Sequence, residues 1–84
     1  MKFRAHINIM PRPELLDPQG KATTLGLQNL GLDNIADLRI GKRIQLDLEV
    51  ADRDTAEAMV DEACKKLLAN LIMESYEFVL EVLN

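Results

Sequence analysis

The chain has few of the residues from which small proteins build reactive or cross-linked sites. Its 84 residues include one cysteine, one histidine and no tryptophan, and aromatic residues make up only 4%. A single cysteine excludes an intrachain disulfide and a metal site built from several thiolates. The sequence also lacks an 18-residue apolar run and a basic-then-apolar leader, so we expect no membrane association and no signal peptide. A reducing, cytoplasmic setting is the corresponding expectation.

Acidic side chains outnumber basic ones, 14 to 10. The formal net charge is −4, and no three basic residues follow one another, so we expect no nucleic-acid binding. The charge is unevenly placed, because residues 1–45 carry seven basic and four acidic side chains whereas residues 46–84 carry three and ten. This pattern favours either a solubilising acidic surface or two charge zones that meet different partners or another copy of the chain.

Length and hydrophobic content set the size of the core. The hydrophobic residues amount to 48% of the chain. A chain of this mass buries about 60% of its unfolded surface when it folds. We therefore predict a single domain over residues 1–84 with a thin core.

Alternating apolar residues predict four strands. They cover residues 2–10, 34–40, 44–50 and 76–82. The second and third strands flank Gly41, which predicts a hairpin with this glycine at positive φ. A two-residue turn would set core residues opposite surface residues, so the turn needs three residues or a bulge. The predicted inward side chains are Phe3, Ala5, Ile7, Ile9, Ala36, Leu38, Ile40, Ile44, Leu46, Leu48, Val50, Tyr76, Phe78, Leu80 and Val82.

Capping residues predict two helices. Asp17 is a suitable N-cap before Pro18, and Gly31 is a suitable C′ residue after a helix that ends near Leu30. Within that helix, Gly26 would allow a close approach to the sheet. The second helix begins after the N-cap candidates Asp52, Asp54 and Thr55, ends near Ala69, and stops at a left-handed Asn70. Its predicted inward face holds Ala56, Met59, Val60, Ala63, Cys64 and Leu67, and Asp61–Lys65 and Glu62–Lys66 form i,i+4 pairs on the other face.

The order of these elements predicts the fold class. Strands and helices follow as β-α-β-β-α-β, which with right-handed crossovers gives an α+β, ferredoxin-like sandwich. Its four-stranded antiparallel sheet has the strand order 4-1-3-2, and both helices cover one face. Because many unrelated activities use this fold, it does not identify a function.

Candidate reactive residues are few, and each has a structural interpretation. Cys64 falls on the inward face of the second helix, which favours a buried thiol. His6 projects from the first strand to the uncovered face of the sheet, where a contact role is favoured over catalysis. Gly41 between Arg39 and Lys42 matches no phosphate-binding motif. We therefore predict no catalytic, metal-binding or cofactor-binding residue in this chain.

The uncovered sheet face favours self-association. Basic and polar residues of the first strand would lie beside acidic residues of the third. Such rows pair within one chain or match the opposite rows of a second copy about a twofold axis. We predict a homo-oligomer, either a dimer or a tetramer.

Four segments in order carry a resemblance to a known family. They are Leu16-Asp17-Pro18-Gln19-Gly20-Lys21, Asp37-Leu38-Arg39-Ile40-Gly41-Lys42, Cys64-Lys65-Lys66-Leu67-Leu68-Ala69-Asn70 and Met73-Glu74-Ser75-Tyr76. With these segments the chain resembles the small PurS-type subunit of phosphoribosylformylglycinamidine synthase over nearly its whole length. The Pro11-Arg-Pro13 lead-in and Leu71-Ile72 depart from the family pattern.

The resemblance implies a non-catalytic subunit of a glutamine amidotransferase of purine biosynthesis. The parent enzyme converts formylglycinamide ribonucleotide, glutamine and ATP to formylglycinamidine ribonucleotide, glutamate, ADP and phosphate. In the family a glutaminase subunit releases ammonia, and a large synthetase subunit binds ATP, Mg²⁺ and the ribonucleotide. The small subunit assembles these two partners and assists ammonia transfer between them, and needs no cofactor of its own.

The matching segments provide candidate partner contacts. These are Asp17, Gln19, Gly20, Arg39, Gly41, Lys42, Asn70, Glu74 and Tyr76. We further hypothesise that a hairpin tip formed by Arg39, Lys42 and Arg43 meets an acidic surface of a larger subunit. The alternative function is a small-metabolite-binding regulatory module of ferredoxin-like type, although Pro11-Arg-Pro13 stands where its glycine-rich ligand loop is expected. A third possibility, an acid–base enzyme that uses His6, needs a pocket between subunits.

Overall fold

A computed structural model of the chain describes residues 1–83 and contains three strands and two helices. The strands are β1 (Lys2–Pro11), β2 (Lys42–Glu49) and β3 (Glu74–Leu83), and the helices are α1 (Pro18–Asn29) and α2 (Arg53–Ala63). A π-helical turn, Cys64–Leu68, continues α2.

The sheet is antiparallel and has the order β2-β1-β3. Ile7 of the central strand lies opposite Ile44 on one side and Phe78 on the other. As the alternation predicts, every second residue of β1 is fully buried, namely Phe3, Ala5, Ile7 and Ile9. The central strand therefore supplies four of the nine buried hydrophobic residues of the core.

Helix α2 covers one face of this sheet through a narrow stripe. Ala56, Val60 and Cys64 are buried at intervals of four residues, and Asp52 caps the helix by accepting a hydrogen bond from the Thr55 N–H at 2.8 Å. The two predicted i,i+4 ion pairs are present, at 2.9 Å and 2.5 Å. Because the stripe is narrow, Met59 beside it is half exposed, contrary to prediction.

Two other residues that were predicted to be in the core, one in the turn after α2 and one on β3, are also exposed. The π-helical turn inserts an extra residue per turn, and Leu67 faces outward. The Leu80 carbonyl accepts a hydrogen bond from Arg53, which begins α2. Val82 lies two residues beyond Leu80 on β3, past the start of the helix, and is therefore partly exposed. The turn ends at Ala69 in extended backbone, so the predicted left-handed stop at Asn70 is wrong.

The predicted four-stranded sheet of order 4-1-3-2 is wrong, because residues 34–40 do not form a strand of the sheet. In the part of the chain that the structure describes, only Gly31 has a positive φ, so Gly41 does not turn the chain into a hairpin. Gly41 instead packs its backbone against the Ile9 carbonyl, where a Cβ would collide. Residues 35–40, called the arm below, precede β2 without pairing with the sheet.

Helix α1 begins and ends as predicted but does not cover the sheet. Asp17 caps it, and Gly31 follows its end with a φ of 90°. A Cβ added at Gly26 would meet open space, so the predicted close approach to the sheet is wrong. Residues 12–41, the helix–arm unit, contribute nothing to the hydrophobic core cluster of the sheet unit, which comprises residues 1–11 and 42–83.

The separation of the two units makes the protomer long and thin. It measures 51 × 28 × 14 Å, and its radius of gyration is 16.6 Å. A compact chain of this length has a radius of gyration of about 12 Å. The helix–arm unit therefore extends beyond the end of the sheet.

Candidate docking surfaces

Asp17 fixes the start of α1 to the end of the arm. Its Oδ1 accepts a hydrogen bond from the Gly20 N–H at 3.0 Å, and its Oδ2 accepts one from the Ile40 N–H at 2.9 Å. These two hydrogen bonds hold the pKa of the Asp17 carboxyl below its usual range, and the one from Ile40 has the larger effect. Burial acts in the opposite direction. We call this arrangement the Asp17 clamp.

Gly20 allows the helix and the arm to touch. A Cβ at this position would collide with the Leu38 carbonyl oxygen and with the Asp17 carboxylate. One turn later Thr24 is buried, and its hydroxyl donates to the Gly20 carbonyl at 2.8 Å. Near the other end of α1, the Gln28 side chain donates to the Ile35 carbonyl at 3.0 Å. The helix is thus attached to the arm near both of its ends.

Arg39 attaches the arm to the segment that follows β1. Its guanidinium donates to the backbone carbonyls of Arg12 at 2.8 Å and Leu15 at 3.1 Å, with a longer bond to Pro13. This cation is therefore engaged within the chain. The expected hairpin tip of Arg39, Lys42 and Arg43 does not form, because no hairpin is present and Arg43 bonds His6 on the sheet.

The Asp17 clamp makes the stability of the helix–arm unit depend on pH. Because the folded pKa of Asp17 is lowered, its contribution is complete above the unfolded pKa of about 4 and is lost as the pH falls through the folded value. We expect Asp17→Asn to lower the thermal midpoint of unfolding at pH 7. The difference in thermal midpoint between the variant and the parent protein should become smaller in acid. Asp33→Asn, in an exposed loop, is the control and should follow the parent curve. A gap that does not change with pH would contradict this role.

A second group of candidate residues forms a tight turn before β3. Asn70 Oδ1 accepts from the Ile72 N–H at 3.1 Å, and Glu74 Oε1 accepts from the Asn70 N–H at 2.8 Å. The Asn70 carbonyl also accepts from the N–H groups of Met73 and Glu74. These bonds hold apolar side chains out toward solvent, and Ile72 is 84% exposed.

The turn borders a cleft that lies between it and the segment that follows β1. Arg12 donates to the Leu71 carbonyl at 2.6 Å and 3.1 Å, which ties the turn to the segment after β1. The cleft, called the turn cleft below, is lined by Pro11, Leu15, Leu16, Asn70, Met73 and Glu74. The sequence pointed to Asn70 and Glu74 but not to Arg12, because a lone arginine between two prolines carries no periodic or motif signal.

Tyr76 lies on the helix-covered face of the sheet, apart from the turn cleft. Its hydroxyl donates to the carboxylate of Asp61 on α2. This hydrogen bond is the main reason that the pKa of Tyr76 is raised to about 12, with burial adding to the effect. The same bond, followed by the one from Lys65, lowers the pKa of Asp61. Tyr76 therefore fastens α2 to β3.

The raised pKa of Tyr76 can be read directly, since the chain has one tyrosine. At a pH of about 11, we expect roughly one tenth of the folded protein to show tyrosinate absorbance, against roughly nine tenths in denaturant. Asp61→Asn should move the folded titration toward that of the unfolded chain, because it removes the acceptor carboxylate. A folded titration centred near 10 would contradict the Tyr76–Asp61 contact.

The uncovered sheet face holds a network of cross-strand ion pairs. Arg4 binds Asp47 through two hydrogen bonds of 2.8 Å and 3.1 Å, which lowers the pKa of Asp47. Arg43 donates to His6 Nδ1 at 2.9 Å, and His6 Nε2 lies 3.0 Å from Glu81. With Nδ1 as the acceptor, Nε2 carries the proton and donates to Glu81. Both imidazole nitrogens are thus engaged in a surface network.

The nine candidate contacts fall into separate places. Asp17, Gly20, Arg39 and Gly41 hold the helix–arm unit together, and Gln19 and Lys42 are exposed near it. Asn70 and Glu74 form the turn, and Tyr76 contacts α2 through Asp61. Within residues 1–83, no group of three His, Cys, Asp or Glu side chains is placed to hold a metal ion. No helix in that part of the chain is long and apolar enough to cross a membrane.

Comparison with known proteins places the chain in a family. The PurS family model, described as phosphoribosylformylglycinamidine (FGAM) synthase, matches residues 4–82. The chain is 43% identical over 82 residues to the PurS subunit of Synechocystis sp., covering 98% of this chain and 82% of that protein. It is 35% identical over 79 residues to the PurS subunit of Bacillus subtilis, covering 94% and 93%.

Solved structures agree. Bacillus subtilis PurS superposes with a TM-score of 0.87 at 35% identity, covering 95% of this chain and 99% of that one. A chain of the Thermotoga maritima PurLQS structure superposes with a TM-score of 0.89 at 30% identity, covering 96% and 99%. The resemblance found in the sequence is confirmed. The chain belongs to the PurS family, subunits of FGAM synthase, a ligase of purine biosynthesis.

Proposed function

We propose that this chain is the non-catalytic small subunit that joins the glutaminase subunit of FGAM synthase to its ATP-dependent synthetase subunit. The observation that carries this proposal is the similarity to a chain of the Thermotoga maritima PurLQS structure, at a TM-score of 0.89 over 96% of this chain. ATP and Mg²⁺ bind to the large synthetase subunit, and this chain needs no cofactor. As part of a purine-biosynthetic enzyme it acts in the cytoplasm.

The contacts of the candidate residues support a role in shape rather than in chemistry. Both oxygens of Asp17 accept backbone N–H groups, and Arg39 donates to backbone carbonyls. Cys64 is fully buried, and burial raises the pKa of its thiol, which disfavours the nucleophilic thiolate. The first two groups stabilise the backbone of a surface to which the larger subunits bind, and the thiol is not available as a nucleophile.

We propose the turn cleft, together with exposed Ile72, as the docking surface for a larger subunit of the same enzyme. The cleft is concave and mostly apolar, and its polar rim contains Asn70 and Glu74. Binding energy concentrates in a few side chains that become buried in well-packed pockets, and Ile72 beside this apolar cleft is placed to become one of them. Gln19 and Lys42 make further direct contacts, whereas Asp17, Gly20, Arg39, Gly41 and Tyr76 keep the contacting segments in place.

The same proposal includes self-association and ammonia transfer. The chain works as a homo-oligomer, a dimer or tetramer, because the separated helix–arm unit leaves apolar surface uncovered. By holding the two larger subunits in fixed positions, it assists the passage of ammonia from the glutaminase to the synthetase. No residue of this chain takes part in bond making.

Assembly from purified subunits tests the docking surface. We expect the chain to bring the glutaminase and synthetase subunits into one peak on gel filtration. Ile72→Lys should weaken this assembly by about tenfold or more, because a charge replaces the apolar anchor. Ala58→Lys introduces the same charge on an exposed position of α2 and should assemble normally. Normal assembly by Ile72→Lys would show that the turn is not part of the docking surface. Co-elution of the glutaminase and synthetase subunits in the absence of this chain would overturn its assembly role.

A further inference from the structure

The polar attachment between the helix–arm unit and the sheet unit depends on one residue. The helix–arm unit contributes nothing to the core cluster of the sheet unit. Within residues 1–83, every hydrogen bond between the two units is made by Arg12, and the ion pairs all lie inside the sheet unit. Arg12 is therefore the polar link between two parts of the chain that share no core.

Arg12 holds the turn before β3 through three hydrogen bonds. Its N–H donates to the Met73 carbonyl at 2.9 Å, and its guanidinium donates to the Leu71 carbonyl at 2.6 Å and 3.1 Å. Its neighbours Pro11 and Pro13 have no N–H to donate, and Pro13 restricts the backbone of Arg12 to extended conformations. The position of Arg12 relative to the turn is thus fixed by both its backbone and its side chain.

The carbonyl of Arg12 continues this connection into the arm. It accepts a hydrogen bond from the Arg39 guanidinium at 2.8 Å and one from the Leu15 N–H at 3.0 Å. The residue after Arg39 is Ile40, whose N–H is held by Asp17 at the start of α1. A continuous series of contacts therefore runs from the turn through Arg12 and Arg39 to the Asp17 clamp.

The same hydrogen bonds join the two walls of the turn cleft. One wall comes from residues 11–16 and the other from residues 70–74. Arg12 belongs to the first wall in the sequence, and its hydrogen bonds end on residues 71 and 73 of the second. A partner that fills the cleft and fixes its walls therefore also fixes Arg12.

We infer that Arg12 is the positioning residue that couples the turn cleft to the helix–arm unit. Docking of a larger subunit in the cleft orders the arm and the start of α1. Opening of the Asp17 clamp in turn loosens the cleft, because the coupling between two sites acts equally in both directions. This inference rests on the docking surface named in the proposed function and states which residue transmits its occupation.

Amide hydrogen exchange in the isolated protein tests the coupling without any partner. Gly20→Ala opens the Asp17 clamp from the helix side, because the added Cβ collides with the arm. We expect the Met73 and Glu74 amides of the turn to exchange about fivefold faster or more in this variant. Gly26→Ala, on the same helix but in open space, should leave these amides unchanged. Turn amides that do not respond to Gly20→Ala would overturn the coupling.

A double substitution tests whether the coupling passes through Arg12. Arg12→Ala removes the guanidinium, so the turn amides should exchange faster, and Gly20→Ala added to it should change them by less than about twofold. Arg53→Ala is the matched control, because Arg53 also donates to a backbone carbonyl, that of Leu80, but inside the sheet unit. Gly20→Ala should keep its full effect in the Arg53→Ala background. Additive effects of Gly20→Ala and Arg12→Ala would overturn the role of Arg12.

Exchange in the assembled enzyme tests the functional consequence. With the purified glutaminase and synthetase subunits bound, we expect the Ile40 amide to exchange about fivefold more slowly or more in the parent chain and in Arg53→Ala. The slowing should be lost in Arg12→Ala, at subunit concentrations where this variant still assembles. Absence of slowing in the assembled parent, or slowing that persists in Arg12→Ala, would overturn the inference. Normal assembly by Ile72→Lys would instead overturn the docking surface, on which the exchange results for the isolated protein do not depend.

Discussion

Replacing Ile7 by alanine should destabilise the protein by about 2–5 kcal/mol, since it removes buried methyl groups from the middle of the core. Ile7 is fully buried on the central strand and lies opposite Ile44 and Phe78 on the two edge strands. A protein of this size has a total stability of about 4–13 kcal/mol, so the loss is a large fraction of it. The loss of apolar packing affects all three strands at once.

Ile72→Ala is the matched control, because it is the same substitution at an exposed position. It should change the free energy of unfolding by no more than about 0.5 kcal/mol. Urea unfolding of both variants at one fixed protein concentration measures the difference, since an oligomer's stability depends on concentration. Equal effects of the two substitutions would contradict the core assignment. If the turn cleft docks a larger subunit, Ile72→Ala keeps its stability but assembles less well.

Replacing Gly20 by alanine should destabilise the helix–arm unit by about 1–3 kcal/mol, the usual cost of forcing atoms into a filled site. The added Cβ collides with the Leu38 carbonyl oxygen and the Asp17 carboxylate, so the Asp17 clamp has to open. Because the clamp holds the Ile40 N–H, hydrogen exchange at that amide should become faster. The core of the sheet unit should keep its protection, since the helix–arm unit does not contribute to it.

Gly26→Ala is the matched control within the same helix. Its Cβ meets open space, and alanine is the better helix former, so this variant should gain about 0.5–1 kcal/mol. The two glycine substitutions should therefore change the stability in opposite directions, as measured by thermal unfolding and by amide hydrogen exchange. Destabilisation by both variants would mean that α1 packs differently from the arrangement described above.

The sequence predicted the elements governed by local rules. The alternation in β1, the cap at Asp17, the positive φ of Gly31 and the ion pairs on α2 depend on residues at most a few positions apart. Each of these follows from strand periodicity, capping or helical spacing. The family was identified separately, by the resemblance that four short segments carry.

The arrangement of the helix–arm unit could not be predicted from those rules. Apolar alternation at Ala36, Leu38 and Ile40 is the same whether the strand pairs within its own chain or with another chain. In the described chain these residues do not pair with the sheet, and the contact of Gly41 with the Ile9 carbonyl and the hydrogen bonds of Arg39 to carbonyls 24 to 27 residues earlier hold them elsewhere. Such long-range contacts leave no periodic signal.

The candidate contacts show the same limit. Asn70 and Glu74 were found because they lie in a matching segment, and the structure shows that they form the turn that exposes Ile72. Arg12, which joins this turn to the segment after β1, was missed. A cleft assembled from residues about 60 positions apart is visible only in the folded chain.

An assembly role and a chemical role differ when FGAM synthesis is measured with glutamine or with ammonium as the nitrogen source, in the presence and absence of this chain. If the chain works by holding a glutaminase beside a synthetase, its omission abolishes glutamine-dependent synthesis and leaves ammonium-dependent synthesis by the synthetase unchanged. Loss of synthesis with both nitrogen sources would assign the chain a part in the bond-forming step and contradict the account.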